Sequence, residues 1–335
     1  MARINMSFKD FLDKNNLSAL TPIFALGMTH QGYGRLDQTP TLYGLWWNTP
    51  TLMLATVEQK PVMMVQRGGF QLLWENMIIK DGLDVVYGAE VTNIHRHLGI
   101  AKSEAEEVMM ISAGAKVGAD GKVSHPIEVT ATVDGTPQEF KADFLIIAAP
   151  IHHILPVLSD ATEEEREVFS FIKPILRIVS TLYTSAVIRP DEKGTQFFPD
   201  LLAPSFEGGH RASERVTART LAPKKAEVEG ERRVAVAYQY YYYNHKSDER
   251  PCNETFLEDA EKDGHKDIEI KETCDWTNYM ASFDQDHVAK RYPWKVLGMQ
   301  GKNRTWYCGS SVSFESTEDV VSYNHLLFNI FNLDK

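Results

Sequence analysis

Cysteine is scarce in this 335-residue sequence: only Cys252, Cys274 and Cys308, odd in number and far apart. They form neither a disulfide framework nor a CxxC zinc pattern, and a reducing, cytoplasmic setting is expected. Long apolar runs are missing as well. No stretch approaches the roughly 20 residues of a membrane span, and Met1-Ala2-Arg3-Ile4-Asn5 lacks the apolar stretch of a signal peptide. Positive charge is outweighed, with 35 Lys and Arg against 46 Asp and Glu, for a net charge of −11. That argues against a general nucleic-acid binder, which needs a basic surface. The absence of a GxSxG elbow removes a serine hydrolase of that type. His152 with His153, and His95 with His97, stand without carboxylates or cysteines at ligand spacing, so no metal site is expected. What is present is the ordinary composition of a soluble globular protein, 43% hydrophobic and 24% charged. The length allows two domains, or one with a large insertion.

Residues 7 to 30 have a helical pattern. Ser7 with Asp10 has capping spacing, and Pro22 divides the segment into two pieces. The adjacent Trp46 and Trp47 belong to a packed helix or a pocket wall. Val62–Val65 reads as a short strand, 71–78 as a helix with an apolar stripe, and Leu83–Tyr87 as the next strand. Strand, helix and strand make a βα unit of a parallel sheet. Past the charge-bearing stretch 101–122, Ile127–Val133 alternates and Asp134-Gly135 is a favoured hairpin dipeptide. The run Phe144–Ala149 is uniformly apolar and stops at Pro150, as a strand buried on both faces would. Thr162 with Glu165 then caps a helix. From 171 to 295 the pattern is rich in strand, notably Ile175–Ile188 and Val234–Tyr243. The tyrosines at 240–243 must alternate between the two faces of their strand.

The chain closes on Arg304–Asn324. An apolar, aromatic strand ends at Gly309, a polar loop follows, and a helix starts near Thr317, with Ser316 and Asp319 at capping-box spacing. Val320, Tyr323, Leu327, Ile330 and Phe331 give that helix an apolar face. Strand, glycine turn and helix N-terminus together can hold a polarised or anionic group.

Four stretches in this order resemble the flavin-containing amine oxidase superfamily: Gly68–Leu73, Val85–Arg96, Ala142–Pro150, and Tyr307–Ser310 continuing to Glu318-Asp319-Val320. The resemblance implies an α/β fold, with an FAD-binding Rossmann-like domain incomplete at its N-terminus and a mixed α+β substrate domain. The first would be assembled from 61–100, 123–160 and 300–335, the second from 1–60 and 161–299. It implies FAD as cofactor and a small-molecule substrate, with hydride transfer from a substrate C–H to flavin N5. By the same resemblance Val91, Ala149, Pro150, Gly309, Ser310, Thr317, Glu318 and Val320 would meet the cofactor, and Cys308 beside the turn is either a covalent flavin attachment or a small buried residue. Two departures stand out. No GxGxxG occurs, although its glycines are what let the backbone cradle a pyrophosphate, so the chain is expected to lack the first βαβ unit. Arg177 stands where the superfamily's amine oxidases carry a lysine, with Lys173 just before it, and an arginine cannot become a neutral base. Together with Tyr43, Trp46, Trp47, Phe197, Phe198 and the tyrosine run, this points to a long apolar or unsaturated acid. Arg177 or Lys173 would pair with its carboxylate, unless Arg177 serves an ion pair between strands. The other reading is a non-catalytic remnant of the fold.

Overall fold

The computed structural model describes residues 4–29, 32–58, 69–96, 127–186, 195–197, 212–217, 233–243, 250–262 and 264–331. The expected strand at 62–65, Gly68, the stretch 101–122, His97 and Phe198 lie outside them. Ser7 accepts the N–H of Asp10 at 3.1 Å and starts α1 (Phe8–Lys14). Pro22 falls in the first turn of α2 (Thr21–Gly27), where the backbone N–H it lacks would have no helical partner anyway. The paired tryptophans lie on α3 (Thr41–Trp47), followed by α4 (Pro50–Val57) and α5 (Gly69–Asp81). Strands β1 (Ala89–Arg96), β2 (Ile127–Val133) and β3 (Thr136–Ala142) come next, then β4 (Leu145–Ile147), the short α6 (Ile151–Ile154) and α7 (Glu163–Ser170). Thr162 and Glu165 close a reciprocal capping box on α7. After β5 (Leu176–Ser185), β6 (Thr195–Phe197), β7 (Ala212–Thr217) and β8 (Arg233–Tyr242) come α8 (Cys252–Lys262), β9 (Glu269–Tyr279), α9 (Gln285–Ala289) and α10 (Tyr292–Met299). The chain ends in β10 (Thr305–Tyr307), α11 (Ser310–Ser313) and α12 (Thr317–Phe331).

These elements form two units, one of Met1–Trp47 with Ile172–Arg291, the other of Asn48–Phe171 with Tyr292–Lys335. The first holds an antiparallel sheet in the order β6-β7-β8-β5-β9. One face is closed by α8, whose Phe256 and Ala260 pack on Tyr183, Ala235 and Ala237. On β8 the rings alternate. The Tyr241 hydroxyl meets Gln239 at 3.3 Å, and that of Tyr242 donates to the Thr29 carbonyl at 3.2 Å. Tyr240, Tyr241 and Tyr242 are buried, whereas Tyr243 at the strand end is exposed.

The second unit holds the meander β1-β2-β3 and a separate parallel pair, β4 and β10. Asp134 and Gly135, with φ of 48° and 79°, make the two-residue turn between β2 and β3, a backbone that matches the twist of the flanking strands. Two expectations for this unit are corrected. The expected strand Leu83–Tyr87 joins no ladder among the described residues, and its apolar side chains are exposed. A β-prone run is a strand only when another strand stands beside it, and the strand that follows is antiparallel β1. The run Phe144–Ala149 yields only Leu145–Ile147 as strand. Ile147 is buried while Ile146 is 65% exposed. Burial on both faces requires neighbours on both edges and helices over both faces, and β4 has one neighbouring strand among the described residues.

Candidate functional site

The site in the second unit is built where β4 and β10 end together. Thr305, Trp306 and Tyr307 lie opposite Leu145, Ile146 and Ile147 in parallel register, and Cys308 donates its N–H to the Ile147 carbonyl at 2.8 Å. Beyond the ladder the two strands continue as Ala148-Ala149-Pro150 and Cys308-Gly309-Ser310. Gly309 has φ 82° and ψ −178°, a region open essentially to glycine alone. A Cβ placed there would collide with the Ala148 carbonyl. The turn thus brings the two chain ends into backbone contact, and Ile151 N–H then reaches Ser311 Oγ at 3.4 Å. The expected polar loop after Gly309 is instead the one-turn helix α11, with Ser313 Oγ donating back to the Gly309 carbonyl at 2.9 Å. Phe314, buried, links α11 to α12 with φ 82° and ψ 167°. A non-glycine residue held there stores backbone strain, and such strain clusters at functional sites.

Two side-chain assemblies fix this geometry. Gln300, after α10, accepts from the Tyr307 N–H at 2.8 Å and donates to the Tyr307 carbonyl at 2.7 Å and to the Tyr323 hydroxyl at 2.8 Å. Its amide does for Tyr307 what a neighbouring strand would do. On the other side, Arg96 at the end of β1 is buried. It donates to Glu165 at 2.7 and 2.8 Å and to Asp160 at 3.0 Å, and reaches Thr305 at 3.3 Å and Tyr307 at 3.4 Å. The Tyr307 hydroxyl also donates to Glu165. Burial opposes the Glu165 charge, but the Arg96 and Tyr307 hydrogen bonds outweigh it and hold the carboxyl below its ordinary value. Burial, reinforced by the Glu165 charge, pushes the Tyr307 phenol up. Next to the site, both ring nitrogens of His152 are buried without a hydrogen-bond partner among the described residues, and its ring lies 4.1 Å from that of His153. Burial, then the neighbouring His153, lowers the His152 pKa. Gln300 and Phe314 carried no sequence signal, and His152 was noted only as half of a histidine pair. Arg96 matters through partners distant in sequence, and Phe314 through a backbone angle.

Of the residues expected at the cofactor, Ala149, Pro150, Gly309 and Ser310 come together at the shared end of β4 and β10. Ala149 and Pro150 are exposed, Ser310 is half-buried and Gly309 is buried. Thr317, Glu318 and Val320 form the first turn of α12. Ser316 Oγ accepts the Asp319 N–H at 3.0 Å and donates to the Asp319 carboxylate, so part of that helix end is already capped. Along α12 Leu327 is buried against Trp306 and Cys308, while Ile330, expected on the packed face, is 50% exposed. Val91 lies in the meander opposite Ala131, at a bulge. Arg177 and Lys173 belong to the other unit. Arg177 donates to both oxygens of Asp275, at 2.8 and 2.6 Å, and lies 5.1 Å from the Tyr241 ring centre. Lys173 exchanges backbone hydrogen bonds with Ser282, and its residue is exposed. Cys308 is buried beside Trp306 and Leu327, and burial pushes its thiol pKa up. A high thiol pKa suits a packing residue better than a nucleophile.

A pair of parallel strands ending at a glycine-only turn matches the place where open α/β sheets hold nucleotides, outside the carboxyl ends of their strands. The contact between Gly309 and Ala148 leaves room for backbone but for no side chain. The fold is shared with solved structures of a fatty acid isomerase, a putrescine oxidase and a UDP-galactopyranose mutase. No family model matches the sequence. A polyenoic fatty acid isomerase from Ptilota filicina is 24% identical over 341 residues, covering 96% of this chain and 61% of that protein. The chain thus spans less than two thirds of that relative's length. Among solved structures, a CLA-producing fatty acid isomerase from P. acnes superposes with a TM-score of 0.73 at 20% identity, over 99% of this chain and 67% of its own. A redesigned putrescine oxidase superposes with a TM-score of 0.59 at 15% identity, over 99% and 69%.

Proposed function

We propose that this chain serves an FAD-dependent oxidoreductase activity of the amine-oxidase type, acting on a long, unsaturated acid. The unit with β4 and β10 would hold the flavin, and the unit with the five-stranded sheet would hold the substrate. Bound FAD supplies two-electron hydride exchange at its N5 atom. The chain's own part is positional. Gly309 lets the turn close on Ala148 at the strand ends where the cofactor would sit, while Gln300 and the Arg96 cluster hold β10 in place. The N-terminus of α12 faces negative charge with a weakened dipole, because Glu318 and Asp319 occupy its first turn.

The observation that carries this reading is the Gly309 turn, closed on Ala148 at the end of a parallel pair. The names of the two fatty acid isomerases support an unsaturated acid over an amine. A carboxylate reaching Arg177 would have to displace Asp275 from both of its bonds, so we read the pair as a clamp between β5 and β9 and do not assign the substrate's acid end to it. The test is a titration of the purified chain with FAD, followed by quenching of flavin fluorescence. Quenching should saturate, and Gly309→Ala should weaken it by about tenfold or more, the equivalent of about 1.4 kcal/mol. No quenching at millimolar FAD would sink the flavin reading.

A further inference from the structure

His152 belongs to the strand ends, yet its side chain has no part in holding them together. β4 runs through Ala148-Ala149-Pro150 into α6, and His152 is the second residue of that one-turn helix. The turn itself is fixed on both sides. His153 N–H bonds back to the Pro150 carbonyl at 2.9 Å, and Leu155 N–H to that of Ile151 at 3.0 Å. Ile151 is buried, with its own N–H on Ser311 Oγ of α11. The imidazole is therefore carried on backbone anchored to the segment that follows Gly309.

Nδ1 and Nε2 of His152 are both buried, and neither has a hydrogen-bond partner among the described residues. No other described side chain has two such atoms. A neutral imidazole offers one donor and one acceptor, so a group of each kind is left over. Buried polar groups nearly always find partners, and one that does not calls for a role or a ligand. His95 and His287 show the usual outcome: the first meets Ser159 at 3.3 Å, the second Asp284 at 2.7 Å. Packing alone is a poor reason for the exception. The His153 ring lies against His152 at 4.1 Å, tilted by 41°, a contact that a phenyl ring makes without burying polar atoms. A metal is set aside as well, since no group of three His, Cys, Asp or Glu side chains among the described residues could hold one. Burial, then His153, holds the His152 pKa below the ordinary 6.5. The ring is thus uncharged at neutral pH and suits a neutral polar partner better than a phosphate.

We propose that His152 is a binding residue of this site, its imidazole exchanging hydrogen bonds with the carbonyl and N–H groups of a bound flavin ring. This rests on the flavin reading and adds to it a residue, a polar contact and a preference for the ring over the rest of FAD. A flavin ring carries carbonyl oxygens on either side of an N–H, so it can accept from one imidazole nitrogen or donate to the other. Gly309 and Ala148 meet through backbone and a carbonyl. A polar side chain beside them is what would separate a flavin from an apolar ring of the same size. In the free chain the ring nitrogens of His152 are a cost to folding, and the bound flavin relieves it.

Riboflavin and FAD are the probes, titrated into the full chain and its variants by fluorescence quenching. His152→Phe keeps a planar ring and removes both polar atoms. It should weaken the binding of each probe by about five- to tenfold, the range of a neutral hydrogen bond. The free His152→Phe chain should melt no lower than the parent, because no hydrogen bond is lost. His152→Gln restores a donor and an acceptor and should recover part of the affinity. In the parent chain, the His152 ring resonances, identified by their loss in His152→Phe, should shift when riboflavin is added. A structural histidine would show the reverse, a lower melting temperature in both variants with unchanged flavin affinity, and that result overturns the proposal. Ring resonances that stay in place at saturating riboflavin also overturn it. So does a loss confined to FAD, which would move the contact to the adenine or phosphate end. If the parent binds neither probe at millimolar concentration, the flavin reading itself fails. If it binds both and His152→Phe binds them equally well, that reading stands and the role of His152 is removed.

Discussion

Gly309 and Arg96 act at the scale of single residues and by different physics. Gly309→Ala places a methyl group against the Ala148 carbonyl at a positive φ, so the turn must open or the backbone must strain. A cost of about 1–3 kcal/mol is expected for such a conformation, measured by urea denaturation of the free chain. Arg96 stabilises through charge. Arg96→Met keeps much of the volume but leaves Glu165 buried and Asp160 nearly so, each without its cation, and should cost about 3–5 kcal/mol. The acid limb follows from Glu165. Its folded pKa lies below the ordinary 4.5, so the carboxylate contributes stability above the unfolded value and loses it as pH falls through the folded one. Glu165→Gln should give a less stable protein whose stability falls less steeply below about pH 4.5; an unchanged acid slope would mean that other carboxylates dominate. Little at this scale was legible beforehand. Gly309 was, because strand–glycine–helix is a local pattern. Arg96 was not, because its partners Asp160, Glu165 and Tyr307 lie 64, 69 and 211 residues away.

Gln300 belongs to the scale of elements, since one side chain joins α10, β10 and α12. Gln300→Leu removes three hydrogen bonds and leaves the N–H and C=O of buried Tyr307 without those partners. A loss of about 2–4 kcal/mol is expected from groups costing about 1–3 kcal/mol each, with thermal melting as the measurement. Gln300→Glu should recover part of it, because the carboxylate still accepts from the Tyr307 N–H. Elements whose determinants are local were readable: the Ser7 and Thr162 caps, the Asp134-Gly135 hairpin, and the start of α12 at Ser316. Elements that depend on a neighbour were not. Leu83–Tyr87 and Phe144–Ala149 have equally good strand composition, yet one joins no ladder among the described residues and the other yields three residues of strand. Helix α5 was expected to bury a stripe, but Trp74 and Ile79 are among several large exposed side chains on it and none is buried. Composition gives the tendency to pack but not the surface that receives it.

At the scale of the whole molecule, charge makes a prediction that runs against a common pattern. The chain carries a net charge of −11, and the pyrophosphate of FAD is an anion. Long-range repulsion between them is screened over about 10 Å at 0.1 M salt. FAD affinity is therefore expected to rise severalfold from low salt to about 0.15 M, the reverse of a protein that binds phosphates through a basic surface. The fluorescence titration measures it directly; affinity that falls with salt would show that a local positive field at the site outweighs the overall charge. The same acidic balance argued at the outset against nucleic acid. The parallel pair at the heart of the site was less legible, since residues brought together there, such as Ile151 and Ser311, are 160 positions apart.

The Gln300 clamp also has a consequence in time. Gln300 and Tyr307 are seven residues apart, so the loop that joins them closes at small entropic cost, whereas β4 must arrive across a far longer loop. Short-range contacts of this kind form ahead of long-range pairing. One side of β10 is then sealed before β4 reaches it, and a nascent chain is spared the choice of pairing β4 on the wrong flank. In Gln300→Leu that choice returns, and refolding should slow and divide into more than one phase.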